Sequence, residues 1–457
     1  MSNNNFNRRN FLKFSTAAMG GAALAGLTLP AEAQSKAPAD KPVRLGFVGI
    51  GGRGSYHLDA ALGLEGVEVP AICEIKPERL YNAKRWIEES GRPTPKLYDR
   101  GPTDFKRLCA EEQLDAVICS TSWEWHAPIC LAAMRNGKHA VSEVPIILTL
   151  EEAWELVETY EKTGKWATLA LEQAMLESGD GLTVLNMIQS GLLGEILQAE
   201  GGYVHDLRHV KFDPQEEPWR LAYDVTHNGN LYSDHPMNRI MSYLGINHGD
   251  KLDHLVSMSS KSVMINKYAA LNYGATNPYA TIKMKQGDCN TTLIHTSCGK
   301  LITLNYDTNT PHPRELFRIQ GTNGVYLSGS ALEGPKIYLE GMSPKEHQWE
   351  PADKYLNEFR HPLVKNYNPP PRKSAIRGHG GNSKKTPLTW HLLVNALREN
   401  KMPYFDVYDS VTSSIIFPLS NHSVTGRSKT IDIPDFTNGK WKTRSPLAFN
   451  NASLATK

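Results

Sequence analysis

The sequence predicts an α/β protein with two domains: an N-terminal Rossmann domain built on a doubly wound parallel sheet, and a C-terminal α+β domain with an open, mainly antiparallel sheet. Two observations carry this prediction. Apolar, strand-like runs alternate with helical segments up to about residue 170, as in stacked βα units. From Glu195 onward, β-rich runs follow one another with turn residues between them, which is typical of antiparallel sheets. We place the nucleotide domain at 43–170, the second domain at 171–440 and a C-terminal tail at 441–457.

The N-terminus has the three parts of an export signal. A charged region containing Arg8-Arg9 precedes a small, apolar run that is too short and glycine-rich to span a membrane, and Ala31-Glu32-Ala33 follows. The paired arginines indicate the twin-arginine route, which carries folded proteins. We therefore expect residues 1–33 to be a signal peptide, 34–42 a linker, and the mature protein to be periplasmic or otherwise extracytoplasmic. The alternative is a disordered basic N-terminus.

The composition favours a small-molecule partner. The chain has 50 basic and 48 acidic residues, so its net charge is too small to favour binding to nucleic acid or to an anionic membrane. No later run has transmembrane length, and the six scattered cysteines form no C-x-x-C pair. We expect no metal site, and a homo-oligomer is compatible with the sequence.

A glycine-rich motif follows the first predicted strand. Gly49, Gly51 and Gly54 have G-x-G-x-x-G spacing, with Arg53 inside the motif. This pattern suits a strand that turns sharply into a helix beneath a dinucleotide pyrophosphate. Glu74 ends the next apolar run, 20 residues after Gly54, where an acid would meet the ribose hydroxyls of NAD and disfavour NADP. The alternatives are a purely structural glycine turn and a solvated carboxylate.

Two further motifs follow predicted strands, where ligands of such sheets bind. Trp-Glu-Trp-His comes after the run 115–120, and Glu-Val-Pro comes after the run 139–142. Aromatic side chains in such a loop can pack on a cofactor or a sugar ring. The alternative is a pair of core tryptophans with a helix-capping histidine. The cofactor-contact candidates are Trp123, Glu124, Trp125, His126, Glu143 and Val144.

The second domain contains one polar cluster, the stretch 228–235. Its last four residues are Tyr232, Ser233, Asp234 and His235, which place a phenol, a carboxylate and an imidazole close together. By itself such a cluster is often a hydrogen-bonded structural loop.

Together, the glycine motif, Trp-Glu-Trp-His and Glu-Val-Pro resemble the Gfo/Idh/MocA superfamily and, within it, glycoside hydrolase family 109. The resemblance runs from about residue 43 to about residue 440. Dehydrogenases of the superfamily usually carry Glu-Lys-Pro, whereas this chain has Val144. A valine cannot transfer a proton, so the sequence favours the hydrolase branch over a sugar dehydrogenase.

The resemblance also implies site residues. Tyr232 and Gln173 would contact the NAD cofactor, and the sugar contacts would be Tyr203, Arg220, Tyr232, Ser233, Asp234, His235 and Arg314. Three departures from the family pattern bear on specificity. Ser233-Asp234 replaces Pro-Thr and is expected to add a charge to the pocket, Gln173 replaces an asparagine, and Arg314 replaces a tyrosine. Nearby, His205, Asp206 and Arg208 are expected to form an internal polar network.

The family's chemistry implies a redox-neutral cycle on tightly bound NAD+. Hydride leaves C3 of the sugar, the C2 proton is lost, the aglycone is expelled from C1, water adds, and the hydride returns. We assign the C3-hydroxyl base to His235, because an imidazole titrates near working pH, and the C2 base to Tyr232 or Tyr203, with Arg220 or Arg314 supplying charge. By the same likeness the substrate is an α-linked N-acetylgalactosamine.

Three alternatives stay open from the sequence alone. The chain could be a true NAD-dependent sugar oxidoreductase or a non-catalytic sugar-binding relative. It could also be a paired-carboxylate glycosidase that uses two of Glu124, Glu143, Asp206 and Asp234.

Overall fold

The structure is a computed structural model that describes residues 41–169, 179–314, 317–329, 333–369 and 386–447. The predicted signal peptide, the linker up to residue 40, Gln173 and the last ten residues of the predicted tail lie outside the described residues. Within the described ranges, no helix combines the length and apolar character that crossing a bilayer requires.

The first sheet has six parallel strands in the order β3-β2-β1-β4-β5-β6. Strand β1 lies between β2 and β4, so the strand order reverses at β1, and the glycine motif that follows it sits at this switch point. This confirms the predicted doubly wound parallel sheet. The strands are β1 (Val43–Val48), β2 (Val67–Cys73), β3 (Lys96–Tyr98), β4 (Ala116–Cys119), β5 (His139–Ser142) and β6 (Ala167–Thr168).

Five helices connect these strands and cover both faces of the sheet. Leu45 and Phe47 of β1 pack in one apolar cluster with α1 and α2, whereas Val48 points to the other face and joins the cluster that contains α3, α4 and α5. This alternation follows from the two-residue repeat of a strand. The helices are α1 (Gly52–Leu62), α2 (Pro77–Glu89), α3 (Phe105–Glu111), α4 (His126–Arg135) and α5 (Leu150–Thr163).

The second sheet has nine strands in the order β14-β13-β12-β11-β7-β10-β9-β8-β15. Its central pair, β7 and β10, is parallel, and the other described pairs are antiparallel. The open, mainly antiparallel sheet is therefore confirmed. The strands are β7 (Ile196–Val204), β8 (Leu252–Ser259), β9 (Asn290–Thr296), β10 (Leu301–Asp307), β11 (Arg318–Gly321), β12 (Gly324–Leu327), β13 (Lys336–Leu339), β14 (Glu350–Pro351) and β15 (Ile431–Asp432).

The helices of the C-terminal half differ from the sequence prediction in three places. The sequence of 201–208 predicts a strand, but the strand ends at Val204 and Arg208 begins a helix. The sequence of 406–420 predicts one helix, but it forms two helices that meet at Ile415. The stretch 350–387 is rich in proline, lysine and asparagine and is predicted to be irregular, but its described part contains β14 and two short helices. The helices are α6 (Gly179–Gln189), α7 (Arg208–Phe212), α8 (Arg220–Thr226), α9 (Asp234–Leu244), α10 (Met264–Tyr273), α11 (Pro278–Thr281), α12 (Asp353–Glu358), α13 (Pro362–Asn366), α14 (Leu388–Arg398), α15 (Val407–Ser414) and α16 (Ile416–Thr425).

Helix α14 packs on the first sheet, although it lies within the predicted second domain, 171–440. Trp390 is fully buried and stacks on Phe47 of β1, with ring centroids 6.4 Å apart. Leu393 and Val394 join the same apolar cluster. The chain therefore returns to the nucleotide domain near its C-terminus, while Leu388 and Leu392 of the same helix join the cluster that includes the second domain.

Candidate functional site

The glycine motif forms a turn in which side chains would not fit. Gly49 has φ of 84°, and a Cβ atom there would lie 2.6 Å from the carbonyl oxygen of Ser120. A Cβ on Gly54 would lie 2.0 Å from the carbonyl oxygen of Gly49. Helix α1 begins directly after Gly51 and has no acidic residue in its first turn. Its N-terminal N–H groups therefore suit an anion such as a pyrophosphate.

Glu74 lies against this turn, as the spacing predicts. Its carboxylate accepts hydrogen bonds from the backbone N–H of Ile50 at 2.7 Å and of Lys76 at 2.8 Å. The side chain is buried at the end of β2. The structure thus brings the acid to the edge of the site where a ribose would lie, and the same carboxylate also ties the turn to β2.

Glu143, directly after β5, is the centre of a buried polar network. Its carboxylate accepts hydrogen bonds from Arg53 Nε at 2.9 Å and His57 Nε2 at 2.5 Å. The other ring nitrogen of His57, Nδ1, accepts from Trp390 Nε1 at 3.3 Å. Burial opposes ionisation of Glu143, but Arg53 and His57 outweigh it and hold the pKa of this carboxyl well below its usual range. Val144 is buried beside it and precedes a cis peptide bond.

The four residues of Trp-Glu-Trp-His point in different directions. Trp123 faces the second domain and stacks on Tyr232 with ring centroids 5.4 Å apart. Trp125 instead packs edge-on against Phe105 of α3. The His126 ring lies within hydrogen-bonding distance of the carbonyl oxygens of Thr121 and Pro145. Trp125 and His126 therefore hold the loop from inside the nucleotide domain, and their contact with the cofactor stays a prediction.

Glu124 is exposed and joins the two domains. Its carboxylate accepts a hydrogen bond from Ser122 Oγ at 2.7 Å and a long one from Tyr223 Oη of α8 at 3.4 Å. Tyr223 also packs on Trp123, with ring centroids 4.7 Å apart. The nucleotide domain and the second domain therefore contact each other at this motif.

Two phenols and an imidazole form a compact cluster opposite Trp123. The Tyr203 ring stacks on the His235 ring with centroids 4.7 Å apart and meets the Tyr232 ring edge-on with centroids 4.6 Å apart. The ring centroids of Tyr232 and His235 are 4.8 Å apart. Tyr203 comes from β7, whereas Tyr232 and His235 flank the start of α9. The structure thus brings together the three residues predicted to be catalytic, although Tyr203 is about 30 positions away from the other two in the sequence.

Arg220 supplies a buried cation to this cluster. Its guanidinium carbon lies 4.9 Å from the Tyr232 ring centroid, 5.0 Å from that of Trp123 and 4.9 Å from that of Trp219. The guanidinium also pairs with the carboxylate of Glu217. Burial works against the charge, but Glu217 and the nearby phenols outweigh it and raise the pKa of Arg220. The site therefore keeps a permanent positive charge next to the phenols.

Ser233 and Asp234 do not face the cluster, which corrects the expectation that they bind substrate and that Asp234 adds a charge to the pocket. The Asp234 carboxylate accepts hydrogen bonds from the hydroxyls of Ser413 and Ser414, both at 2.7 Å. Ser233 Oγ donates to the carbonyl oxygen of Ser413 at 3.0 Å. Both side chains are buried against the end of α15, because α9 begins here and turns successive residues to different sides.

Arg314 lies at the exposed rim of the cluster. Its guanidinium carbon is 5.9 Å from the Tyr203 ring centroid, so the cation that replaces the family's tyrosine is near a predicted catalytic phenol. Asp206, nearby in the sequence, accepts hydrogen bonds from the Arg208 side chain at 2.9 and 2.7 Å. Of the predicted internal network of His205, Asp206 and Arg208, the structure shows the Asp206–Arg208 pair, whereas His205 meets the Tyr203 ring edge-on.

Sequence reasoning missed several residues of the site. Trp219 and Tyr223 complete the aromatic wall around Trp123, and their spacing of four residues, next to Arg220, was the available signal. Lys211 is fully buried and donates to Asp224, Thr308 and Asn309. No local pattern marks Lys211, His57 or Trp390, because their partners lie far away in the chain.

Among the described residues, one group could hold a metal ion: Asp253, His254 and His295. It lies on β8 and β9, where His254 and His295 face each other. His295 is exposed and opposes the exposed Leu301, whereas Tyr203 opposes the buried Tyr306. Strand alternation therefore places this group on the face of the sheet opposite the aromatic cluster.

Comparisons with known proteins agree with this geometry. Residues 43–171 match the model of the oxidoreductase family with an NAD-binding Rossmann fold, and residues 178–443 match the C-terminal domain of glycosyl hydrolase 109. Among solved structures, an NAD-binding oxidoreductase from Klebsiella pneumoniae has a TM-score of 0.64 at 13% identity, covering 86% of this chain and 99% of that one. The WlbA dehydrogenase from Bordetella pertussis, solved with NADH and UDP-GlcNAcA, has a TM-score of 0.61 at 16% identity, covering 86% of this chain and 99% of that one. These two likenesses show the fold.

Full-length relatives are more similar in sequence. A glycosyl hydrolase family 109 protein from Shewanella baltica is 36% identical over 469 aligned positions, covering 98% of this chain and all of the relative. Another, from Shewanella pealeana, is 36% identical and covers 96% of this chain and 98% of the relative. With its NAD-binding Rossmann domain and its matching C-terminal domain, the chain belongs to glycoside hydrolase family 109 of the Gfo/Idh/MocA superfamily.

Proposed function

We propose that this family 109 glycosidase is exported and releases an α-linked N-acetylgalactosamine in a redox-neutral cycle that uses tightly held NAD. The observation that carries the proposal is the cluster of Tyr203, Tyr232 and His235 packed against Trp123 of the nucleotide domain. It places proton-transfer groups of the second domain next to the carboxyl edge of a dinucleotide-binding sheet, where a nicotinamide would lie.

The residues present fit NAD. The tight glycine turn leaves room for phosphates at the start of α1, and Glu74 at the end of β2 suits ribose hydroxyls while disfavouring a 2′-phosphate. Arg53 lies at the same turn, held by Glu143. When bound, NAD+ would supply a reversible hydride acceptor for C3 of the sugar. The side chains of this chain would bind, orient and move protons.

Proton transfer falls to the imidazole and the two phenols. His235 is the base for the C3 hydroxyl, because a neutral imidazole accepts a proton near neutral pH. Tyr232 or Tyr203 is the base that removes the C2 proton of the sugar. The buried Arg220 cation, 4.9 Å from the Tyr232 ring, favours a phenolate and any negative charge that develops on the sugar.

The paired-carboxylate alternative finds little support in the geometry. Glu143 and Asp234 are buried and bonded to protein donors, and Asp206 is paired with Arg208. Glu124 is exposed and bonded to Ser122 and Tyr223. Protein donors therefore engage all four carboxylates, whereas a paired-carboxylate mechanism needs two carboxyls that flank the scissile bond.

The test is hydrolysis of an aryl α-N-acetylgalactosaminide in D2O by protein purified without added nucleotide. We expect cleavage, deuterium at C2 of the released sugar, and no accumulation of reduced nicotinamide. Cleavage without deuterium at C2 would support a carboxylate mechanism and overturn ours. Turnover of added NAD+ with release of an oxidised sugar would identify a dehydrogenase instead.

A matched pair of histidine variants sharpens the test. His235→Ala should lower the cleavage rate by about 10²–10⁴, the usual contribution of a general base. His254→Ala is the control, because His254 also stacks on a ring, that of His295 at 5.2 Å, but lies on the opposite face of the sheet. Unchanged cleavage by His235→Ala would refute the assigned role.

A further inference from the structure

One segment of the second domain is joined to the nucleotide domain by several contacts, of which three carry the argument. We name residues 213–223, from the end of α7 to the middle of α8, the cover segment. Arg79 Nη2 donates to the carbonyl oxygen of Gln215 at 2.8 Å. Trp219 meets Trp123 edge-on with ring centroids 5.0 Å apart, and Tyr223 Oη donates to Glu124 at 3.4 Å.

These contacts lie on both sides of the glycine turn. Arg79 is on α2, which follows β2, whereas Trp123 and Glu124 follow β4. In the sheet, β2 and β4 flank β1, and the glycine turn follows β1. The cover segment therefore bridges the carboxyl edge of the sheet from one neighbour of β1 to the other, and a dinucleotide bound at the turn would lie beneath it.

Arg79 lies beside the glycine turn. A Cβ atom on Gly51 would lie 3.1 Å from Arg79 Nη1, while Nη2 of the same guanidinium bonds the cover segment. One planar group thus faces both the expected pyrophosphate site and the segment above it. Guanidinium groups bind phosphate oxygens with several donors at once, and the first turn of α1 offers no acid that would compete for this cation.

We propose that Arg79 and the cover segment form a clamp that retains the pyrophosphate of the bound dinucleotide between catalytic cycles. The inference rests on the proposed function, because a redox-neutral cycle needs the same nucleotide to hold and to return each hydride. In the clamp, Arg79 bonds the pyrophosphate and the Gln215 carbonyl together. Release of the nucleotide then requires the cover segment to detach.

The experiment measures exchange of bound NAD+ directly. Protein loaded with radiolabelled NAD+ is chased with excess unlabelled NAD+, and the retained label is followed by rapid desalting. Arg79→Ala should exchange at least about tenfold faster than the wild type, because one charge-assisted contact is worth about 1.5 kcal/mol or more. Tyr223→Phe should have a smaller effect, since its hydrogen bond is long. Arg85→Ala is the matched control, as this exposed arginine lies on the same helix and pairs with Glu89.

The clamp is overturned if Arg79→Ala exchanges NAD+ at the wild-type rate or if Arg85→Ala accelerates exchange equally. Circular dichroism checks that the variants fold, and hydrogen exchange of the wild type gives a second measure. Backbone amides of 213–219 should exchange more slowly with NAD+ bound, and equal rates would also refute the clamp. Slow NAD+ exchange that depends on Arg79, without cleavage of any glycoside, would support the clamp while refuting the proposed glycosidase.

Discussion

Removing the His57 imidazole tests how the Glu143 carboxylate is held beside the nucleotide-binding edge. Because His57 Nδ1 accepts from Trp390 Nε1, the proton on the ring lies on Nε2, which donates to Glu143 at 2.5 Å. The side chains of His57 and Glu143 are 2% and 9% exposed. His57→Leu puts an apolar side chain of similar size in place of the imidazole and deletes the donor, so a buried charge loses one of its partners.

The expected loss of stability depends on the partners that Glu143 keeps in the variant. Arg53 still donates to the carboxylate at 2.9 Å, so Glu143 is not left as an unpaired buried charge, which would cost about 3–5 kcal/mol. One charge-assisted hydrogen bond is worth about 1.5–3 kcal/mol, and we expect the free energy of unfolding to fall by that amount. Trp390→Phe deletes a neutral bond of 3.3 Å, worth about 0.5–1.5 kcal/mol, and also removes ring volume from a fully buried side chain, so its total cost is larger than that of the bond alone.

Urea unfolding at neutral pH, followed by circular dichroism and by fluorescence, measures both costs. The Trp390 bond reaches Glu143 only through His57, so the double variant should lose less than the sum of the single losses. His254→Leu on the exposed face of the second sheet is the control and should change stability by no more than about 0.5 kcal/mol. The reasoning fails if His57→Leu matches the control, or if the double variant loses the full sum of the single losses.

Three further predictions concern single side chains. Burial, and then Lys165, lower the pKa of His139 from 6.5 to about 3, so its contribution to stability is complete above pH 6.5 and is lost as the pH falls toward 3. By about pH 5 this loss of stability is about 2 kcal/mol. In His139→Asn, the urea midpoint should therefore change less between about pH 7.5 and pH 5 than it does in the wild type. Gly49→Ala should lower the free energy of unfolding by at least about 1–3 kcal/mol, because φ of Gly49 is positive and the carbonyl of Ser120 would clash with a Cβ atom there. The same change should abolish NAD+ retention in the desalting assay. Asp234→Asn should lower the free energy of unfolding in urea by about 1–3 kcal/mol but leave the KM for an aryl glycoside unchanged. A changed KM would indicate that Asp234 contacts the substrate after all.

Local patterns were sufficient for much of the fold. Alternating apolar runs located β1, β2, β4 and β5, because a strand buried on both faces needs a continuous apolar sequence. The positive φ of Gly49 and the closeness of Glu74 to Ile50 follow from the glycine spacing and the acid that ends β2. Both are features of short stretches of chain.

The sequence by itself determined the two-domain α/β class, the nucleotide-binding turn and, through resemblance to a family, the trio Tyr203, Tyr232 and His235. Only the tertiary structure decided where each side chain points. It turned Asp234 toward Ser413 and Ser414, Trp125 toward Phe105, and Trp390 into the nucleotide domain. The physical reason is that a motif fixes the backbone path over a few residues, whereas the partner of a buried polar or aromatic group is set by the packing of distant helices and strands.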